Sequence, residues 1–138
     1  MAEVLNEILR NTVARHRAGD IQGALAGYRK VLEIKPDHAP ARHGEGLALE
    51  GLGQFDAALD ALRVAAATAP PSPLHQFNLG RVETRHGDKG QAEAAYRSAV
   101  ALKHDFADAW NNLGLLLDGQ HRPNEAEDAL RNALSVAS

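Results

Sequence analysis

The sequence has no cysteine, so it forms no disulfide and offers no thiolate to a metal or an electrophile. Valine, isoleucine and threonine are thin where alanine, leucine, arginine and glutamate are abundant, a balance that suits helices rather than strands. There is no basic excess: the formal net charge is −3 and the isoelectric point about 6.1, which argues against a general nucleic-acid binder. The longest strongly apolar run, Val64 to Ala69, is too short to cross a bilayer, so no membrane insertion is expected. Charges enter every turn of the opening MAEVLNEILRNTVARHR, which is therefore not a secretory signal. No run of glycine, serine and proline is long enough to be a linker. A single helical, cytoplasmic domain is expected over residues 1–138.

The marks of catalysis are missing as well. No two histidines stand three or four residues apart on one helix face, and a helix start separates His38 from His43, so no metal site is expected. His16, His86 and His121 fall near helix ends, where a histidine can meet free carbonyls. Gly44-Glu45-Gly46 and Gly51-Leu52-Gly53 lie within helical registers and are not phosphate cradles. No catalytic residue and no cofactor is expected, and the chain by itself is expected not to be an enzyme.

What the sequence does contain is one motif written four times. Ala109-Trp110-Asn111-Asn112-Leu113-Gly114 is followed by Ala126 and Leu130. Thirty-four residues earlier stand Phe77-Asn78-Leu79-Gly80, Ala92 and Tyr96, and a further 34 back, more faintly, Gly44-Glu45-Gly46, Ala58 and Leu62. The first copy keeps Ala24 and Tyr28 but has Asn11-Thr12 in place of the Leu-Gly pair. Glycine inside a helix costs about 1 kcal/mol relative to alanine. Its return at Gly46, Gly80 and Gly114 implies a neighbouring helix that passes too close for a β-carbon. Ala24, Ala58, Ala92 and Ala126 hold the facing register, and Tyr28, Leu62, Tyr96 and Leu130 are expected to fill the gaps between helix pairs. Gly19, Gly53 and Gly87 are expected to turn the chain within a pair, and Pro36 and Pro70 to end one.

Apolar spacing predicts helices near 2–18, 21–34, 39–52, 55–69, 73–86, 89–102, 107–120 and 123–137. Capping chemistry marks several starts independently: Asp20, Ser72 before Pro73, Asp88 with Gln91 three residues on, and Pro123 with Glu125.

The period and its small residues resemble the tetratricopeptide repeat (TPR), whose signature over 34 residues is W-x2-L-G-x2-Y, A-x3-F and P. The resemblance covers 5–38, 39–72, 73–106 and 107–138 without insertion. It departs at Asn11-Thr12, at His104 where the third copy would have proline, and at His121 where the fourth would have the turn glycine. It implies an all-α solenoid of four helix-turn-helix repeats, about eight antiparallel helices in a right-handed superhelix, whose first helices line a concave groove.

In this family the groove is lined by residues near the second, fifth, sixth, ninth, twelfth and thirteenth places of each repeat. Here these include Asn6, Leu9, Arg10, Val13, His16 and Arg17; then His43, Gly44, Leu47 and Glu50; then Leu74, Phe77, Asn78, Arg81, Thr84 and Arg85; then Asp108, Asn111, Asn112, Leu115 and Asp118. The carboxylate clamp by which some members hold chaperone tails is not expected, because its places hold Leu9, Val13, Gly44, Leu74 and Asn78, or His43, Leu47, Asn78, Asp108 and Asn112. Asn78 and Asn112 share one register and resemble the asparagine ladder of protein glycosyltransferases acting on serine and threonine; the alternative is two solvent-facing amides. Arg10, Arg17, Arg81 and Arg85 tilt the groove basic, or simply keep the array in solution. Phe77 is either an apolar anchor for a ligand or a residue half-buried between first helices.

The expected function is therefore a non-catalytic scaffold that binds a protein or peptide in the groove. A second expectation is the N-terminal segment of a larger enzyme, resembling bacterial glycosyltransferases or sulfotransferases. A third is homo-oligomerisation through the last repeat, where no capping helix follows Leu130, Ala133, Leu134 and Val136.

Overall fold

Local chemistry accounts for where the helices begin. In the computed structural model, which describes residues 1–137, Asp20 accepts from the backbone N–H of Gly23 at 3.0 Å, Ser72 from His75 at 3.2 Å and Asp88 from Gln91 at 2.9 Å. Each satisfies one of the N–H groups that a helix start leaves unpaired. His38 does the same through its ring, Nδ1 accepting from Ala41 N–H at 3.1 Å. That cap went unread in the sequence because histidine is not among the usual capping residues.

Eight α-helices and no strands are present among the described residues: α1 Ala2–Arg17, α2 Ile21–Ile34, α3 Ala39–Gly51, α4 Phe55–Ala67, α5 Pro73–His86, α6 Lys89–Leu102, α7 Ala107–Gly119 and α8 Pro123–Ala137. They fall into two compact units, Met1–Ala69 with α1 to α4 and Pro70–Ser138 with α5 to α8. Within each unit every helix packs on the next, and in the second unit α5 also meets α7.

The core of the first unit is built from Ala24, Leu25, Tyr28, Val31, Leu32, Ala41, Ala48, Leu49, Ala58 and Ala61, with Ile8, Leu9 and Val13 of α1 packed against it. The second unit buries Ala92, Tyr96, Leu113, Leu116, Leu117, Ala126 and Ala129, and beside them Ala99, Val100 and Ala109. In both, small residues let helix backbones approach closely. A β-carbon on Gly46 would stand 2.7 Å from Leu62, one on Gly80 2.8 Å from the Tyr96 ring, and one on Gly114 2.7 Å from Leu130. The large residue of each repeat thus sits over the glycine of its own repeat. Tyr28 and Tyr96 reach forward, onto Gly44 of α3 and Asn112 of α7.

The departures from the motif are compensated locally. Thr12 is buried where the glycine would be, its hydroxyl donating to the Ile8 carbonyl at 2.7 Å. It fits because Gly27 opposite carries no β-carbon; the later repeats have Ala61, Ala95 and Ala129 there. His121 adopts φ 61°, taking over the left-handed turn that Gly19 and Gly53 make at φ 89° and 77°. Gly87 ends α5 and makes the third turn as expected, though at φ −131° and ψ −135° rather than in the left-handed region used by Gly19 and Gly53. Where His104 replaces proline, its carbonyl accepts from Trp110 Nε1 at 2.7 Å and closes the turn.

An arginine–glutamate network fastens α6 to the start of α8. Arg122 donates to Glu93 at 2.5 and 3.2 Å and to Glu125 at 2.6 and 3.1 Å, while Arg97 reaches both carboxylates. Hydrogen bonds from Arg122 hold both glutamates below the ordinary carboxylate value, and the Arg122 guanidinium is raised further by Glu125 and then Glu93. These contacts lie on second helices, the side expected to be a solvated outer face.

Candidate functional site

The 3.6-residue period places Arg81, Thr84 and Arg85 on one face of α5, and Asn112, Leu115, Leu116 and Gly119 on one face of α7. With Lys89 and Tyr96 of α6 these residues enclose a hollow of about 350 Å³ in the second unit. Arg85 and Lys89 enter no ion pair among the described residues, and no aspartate or glutamate lines the hollow. Tyr96 forms its floor. The ring lies against Gly80 and 6.1 Å from Phe77, and the side chain is 2% exposed. Asn112 Nδ2 stands 3.5 Å from the Tyr96 hydroxyl, and Arg81 Nε 3.4 Å from Asn78 Oδ1. Leu115, 58% exposed, supplies an apolar wall. Cations, an amide, a phenol and a leucine together suit noncovalent binding.

Five of the residues read from the sequence thus converge: Arg81, Thr84, Arg85, Asn112 and Leu115. Asn78 touches this group through Arg81. Phe77 is half-buried, 4.9 Å from the Phe106 ring, and packs against the core clusters of the second unit. In the first unit Arg10 and Arg17 line a separate hollow of about 510 Å³ with Asn6, Leu9, Val13 and Ala14, all on α1. His43 is buried in α3 and Leu47 half-buried on the same helix. Asn111 lines a third hollow, of about 440 Å³, with Asp108, Leu130, Ala133, Leu134 and Ala137. The open end expected at the last repeat narrows to Leu134, 72% exposed, since Ala133 is buried and Leu130 and Val136 half-buried.

His16 does not meet a helix-end carbonyl as expected; its Nδ1 pairs with the Tyr28 hydroxyl at 2.9 Å. Burial raises the Tyr28 phenol above its ordinary value, and the nearby Arg17 charge opposes that shift. Lys89, Tyr96, Leu116 and Gly119 were missed as site residues. Lys89 and Tyr96 belong to a second helix, whose residues were assigned to core or outer face. The spacing of Leu116 and Gly119 from Asn112 was the available signal. No group of acidic, histidine or cysteine residues able to hold a metal ion occurs among the described residues, and no helix there is long and apolar enough to cross a membrane.

Comparison with known proteins follows the same lines. Tetratricopeptide repeat family profiles match residues 15–77 and 77–137. The BBSome complex member bbs-4 of Caenorhabditis elegans is 28% identical over 118 residues, which are 86% of this chain and 26% of that protein. This chain therefore spans about a quarter of the length of that relative. Among solved structures, MamA superimposes with a TM-score of 0.89 at 24% identity, over 96% of this chain and 78% of that one. An O-GlcNAc transferase of Thermobaculum terrenum superimposes with a TM-score of 0.77 at 28% identity, over 84% of this chain and 22% of that one.

Proposed function

Because the chain belongs to the tetratricopeptide repeat family, we propose that it is a non-catalytic interaction module whose first-helix faces hold an extended peptide or partner segment. The observation that carries this reading is the hollow of about 350 Å³ formed where α5 and α7 present Arg81, Arg85, Asn112 and Leu115 together. The hollow on α1, with Arg10 and Arg17, has the same mixture of cation and aliphatic wall. A peptide laid along such faces is held by main-chain hydrogen bonds to amides such as Asn112 and by side-chain packing against leucines. That its relative bbs-4 is a complex member supports this reading.

A peptide-array screen tests it, followed by titration of the best binder against Asn112→Ala and Leu115→Glu. Each variant should bind at least about tenfold more weakly, the loss of one buried hot-spot contact, with far-UV circular dichroism unchanged. Unaltered affinity in both variants would remove the groove from consideration.

The similarity to an O-GlcNAc transferase favours a second reading, in which the same faces recruit substrate for a larger enzyme. Self-association through the last repeat is a third, resting on the exposure of Leu134. It predicts that Leu134→Glu lowers the mass measured by light scattering at high concentration, and a wild type that is monomeric throughout would refute it.

A further inference from the structure

Tyr28 and Tyr96 occupy one register two repeats apart, and their hydroxyls meet different surroundings. In the first unit the Tyr28 hydroxyl is paired with His16 Nδ1 at 2.9 Å, and the Ile21 side chain lies in van der Waals contact range of Gly51, which closes that corner. In the second unit the corresponding places hold Thr84, Lys89 and Gly119. Thr84 donates its hydroxyl to the Gly80 carbonyl at 2.7 Å, and a β-carbon on Gly119 would find nothing within 4 Å. The corner therefore stands open as the hollow of about 350 Å³.

At its floor the buried Tyr96 hydroxyl is met by Asn112 at 3.5 Å, the long limit of a hydrogen bond whichever way the amide is turned. Asn112 Nδ2 is the donor in that contact, so among the described residues no group accepts the Tyr96 O–H, which leaves it a place for a ligand or water. Around it stand Arg85 and Lys89, neither in an ion pair among the described residues. Asp88, beside Lys89, turns its carboxylate onto the Gln91 N–H instead.

A group that carries negative charge and only accepts hydrogen bonds answers both features, and a carboxylate is such a group. We infer that this hollow is an anion subsite that takes the side-chain carboxylate of an acidic peptide, with Tyr96 as hydrogen-bond donor and Arg85 and Lys89 as charge partners. Leu115 and Leu116 give the methylenes of that side chain an apolar wall. The inference rests on the proposed peptide-binding function and names the ligand chemistry within it. The overall negative charge of the chain works against indiscriminate polyanion binding.

Calorimetric titration at low salt tests the subsite, using hexaglutamate, hexaglutamine and inorganic phosphate as probes. The variants are Tyr96→Phe, the pair Arg85→Gln with Lys89→Gln, and, as a charge-matched control in the first unit, Arg10→Gln with Arg17→Gln. Hexaglutamate should bind the wild type at least about tenfold more tightly than hexaglutamine. Tyr96→Phe keeps the ring against Gly80 and should weaken binding by at least about tenfold, the effect of one hydrogen bond to a charged group. The Arg85/Lys89 pair should weaken it more than about tenfold and flatten its salt dependence, while the control pair changes it by less than about twofold. Binding that ignores Tyr96→Phe, or falls equally in the control pair, would show bulk charge alone and overturn the subsite. Phosphate bound as tightly as hexaglutamate, and equally dependent on Tyr96, would assign the hollow to a free oxyanion and overturn the peptide assignment. Failure of hexaglutamate while neutral peptides still bind in a Leu115-dependent way would sink this inference and leave the groove function standing. Failure of every peptide would sink both.

Discussion

Replacing Gly114 by alanine sets two calculable effects against each other. Gly114 lies inside α7, where alanine gains about 1 kcal/mol of helix propensity. The new β-carbon, however, would stand 2.7 Å from Cγ and Cδ2 of Leu130 and 3.2 Å from the Ala126 carbonyl oxygen. Leu130 can turn aside into a poorer rotamer at a cost of about 0.5–1.5 kcal/mol. The α8 backbone cannot turn, so the helices must part, and overpacking of this kind costs about 1–3 kcal/mol. The net expectation is a loss of about 0.5–3.5 kcal/mol, each kcal/mol lowering the melting temperature of a chain of this size by about 3–5 °C. Gly119 ends the same helix with open space around its β-carbon position, so Gly119→Ala should gain about 0.5 kcal/mol. Urea unfolding followed by the fluorescence of Trp110, the single tryptophan and itself on α7, reads the second unit directly. Adding Leu130→Ala should remove the side-chain part of the contact, so that Gly114→Ala destabilises less in that background. A Gly114→Ala protein as stable as Gly119→Ala would refute the close-approach account of the repeat glycine.

Three further outcomes follow from the same reasoning. In the first repeat, Gly27→Ala should cost about 1–2 kcal/mol, since the added carbon would meet Thr12, with Cγ2 2.8 Å away; Thr12→Gly in that background should recover most of it, a coupling that a double-mutant cycle measures. His121→Gly removes a left-handed non-glycine residue and should raise unfolding free energy by about 0.5 kcal/mol, the strain relief of about 1 kcal/mol being partly offset by the freer unfolded chain. The His38 ring must be unprotonated at Nδ1 to cap α3, and burial, then Lys35, lower its pKa. The unfolded chain therefore binds the proton first as pH falls: the contribution is complete above about pH 6.5 and is lost as pH drops through the lowered folded value. His38→Asn, which caps without titrating, should reduce the change in urea midpoint between about pH 7.5 and pH 5, and an unchanged slope would exclude His38 as its source.

The sequence alone determined the helical class, the four-fold period and nearly every helix end. It could do so because those features have local or periodic causes: a capping oxygen at Asp20, Ser72 or Asp88, and a β-carbon missing at Gly46, Gly80 and Gly114, where Leu62, Tyr96 and Leu130 of the facing helix fill the space. Asn112, Leu115, Arg81 and Arg85, which the family resemblance assigned to the groove, line one hollow. What only the tertiary structure decided are relations between residues far apart in the chain. Thr12 is tolerated because Gly27 faces it, and neither residue reveals the other. Phe77 turns inward because Phe106 and Tyr96 are there to receive it. Tyr28 and Tyr96 look alike in the sequence, yet one hydroxyl finds His16 while the other opens on a hollow among cations, since a hydrogen bond depends on what folding brings within about 3 Å.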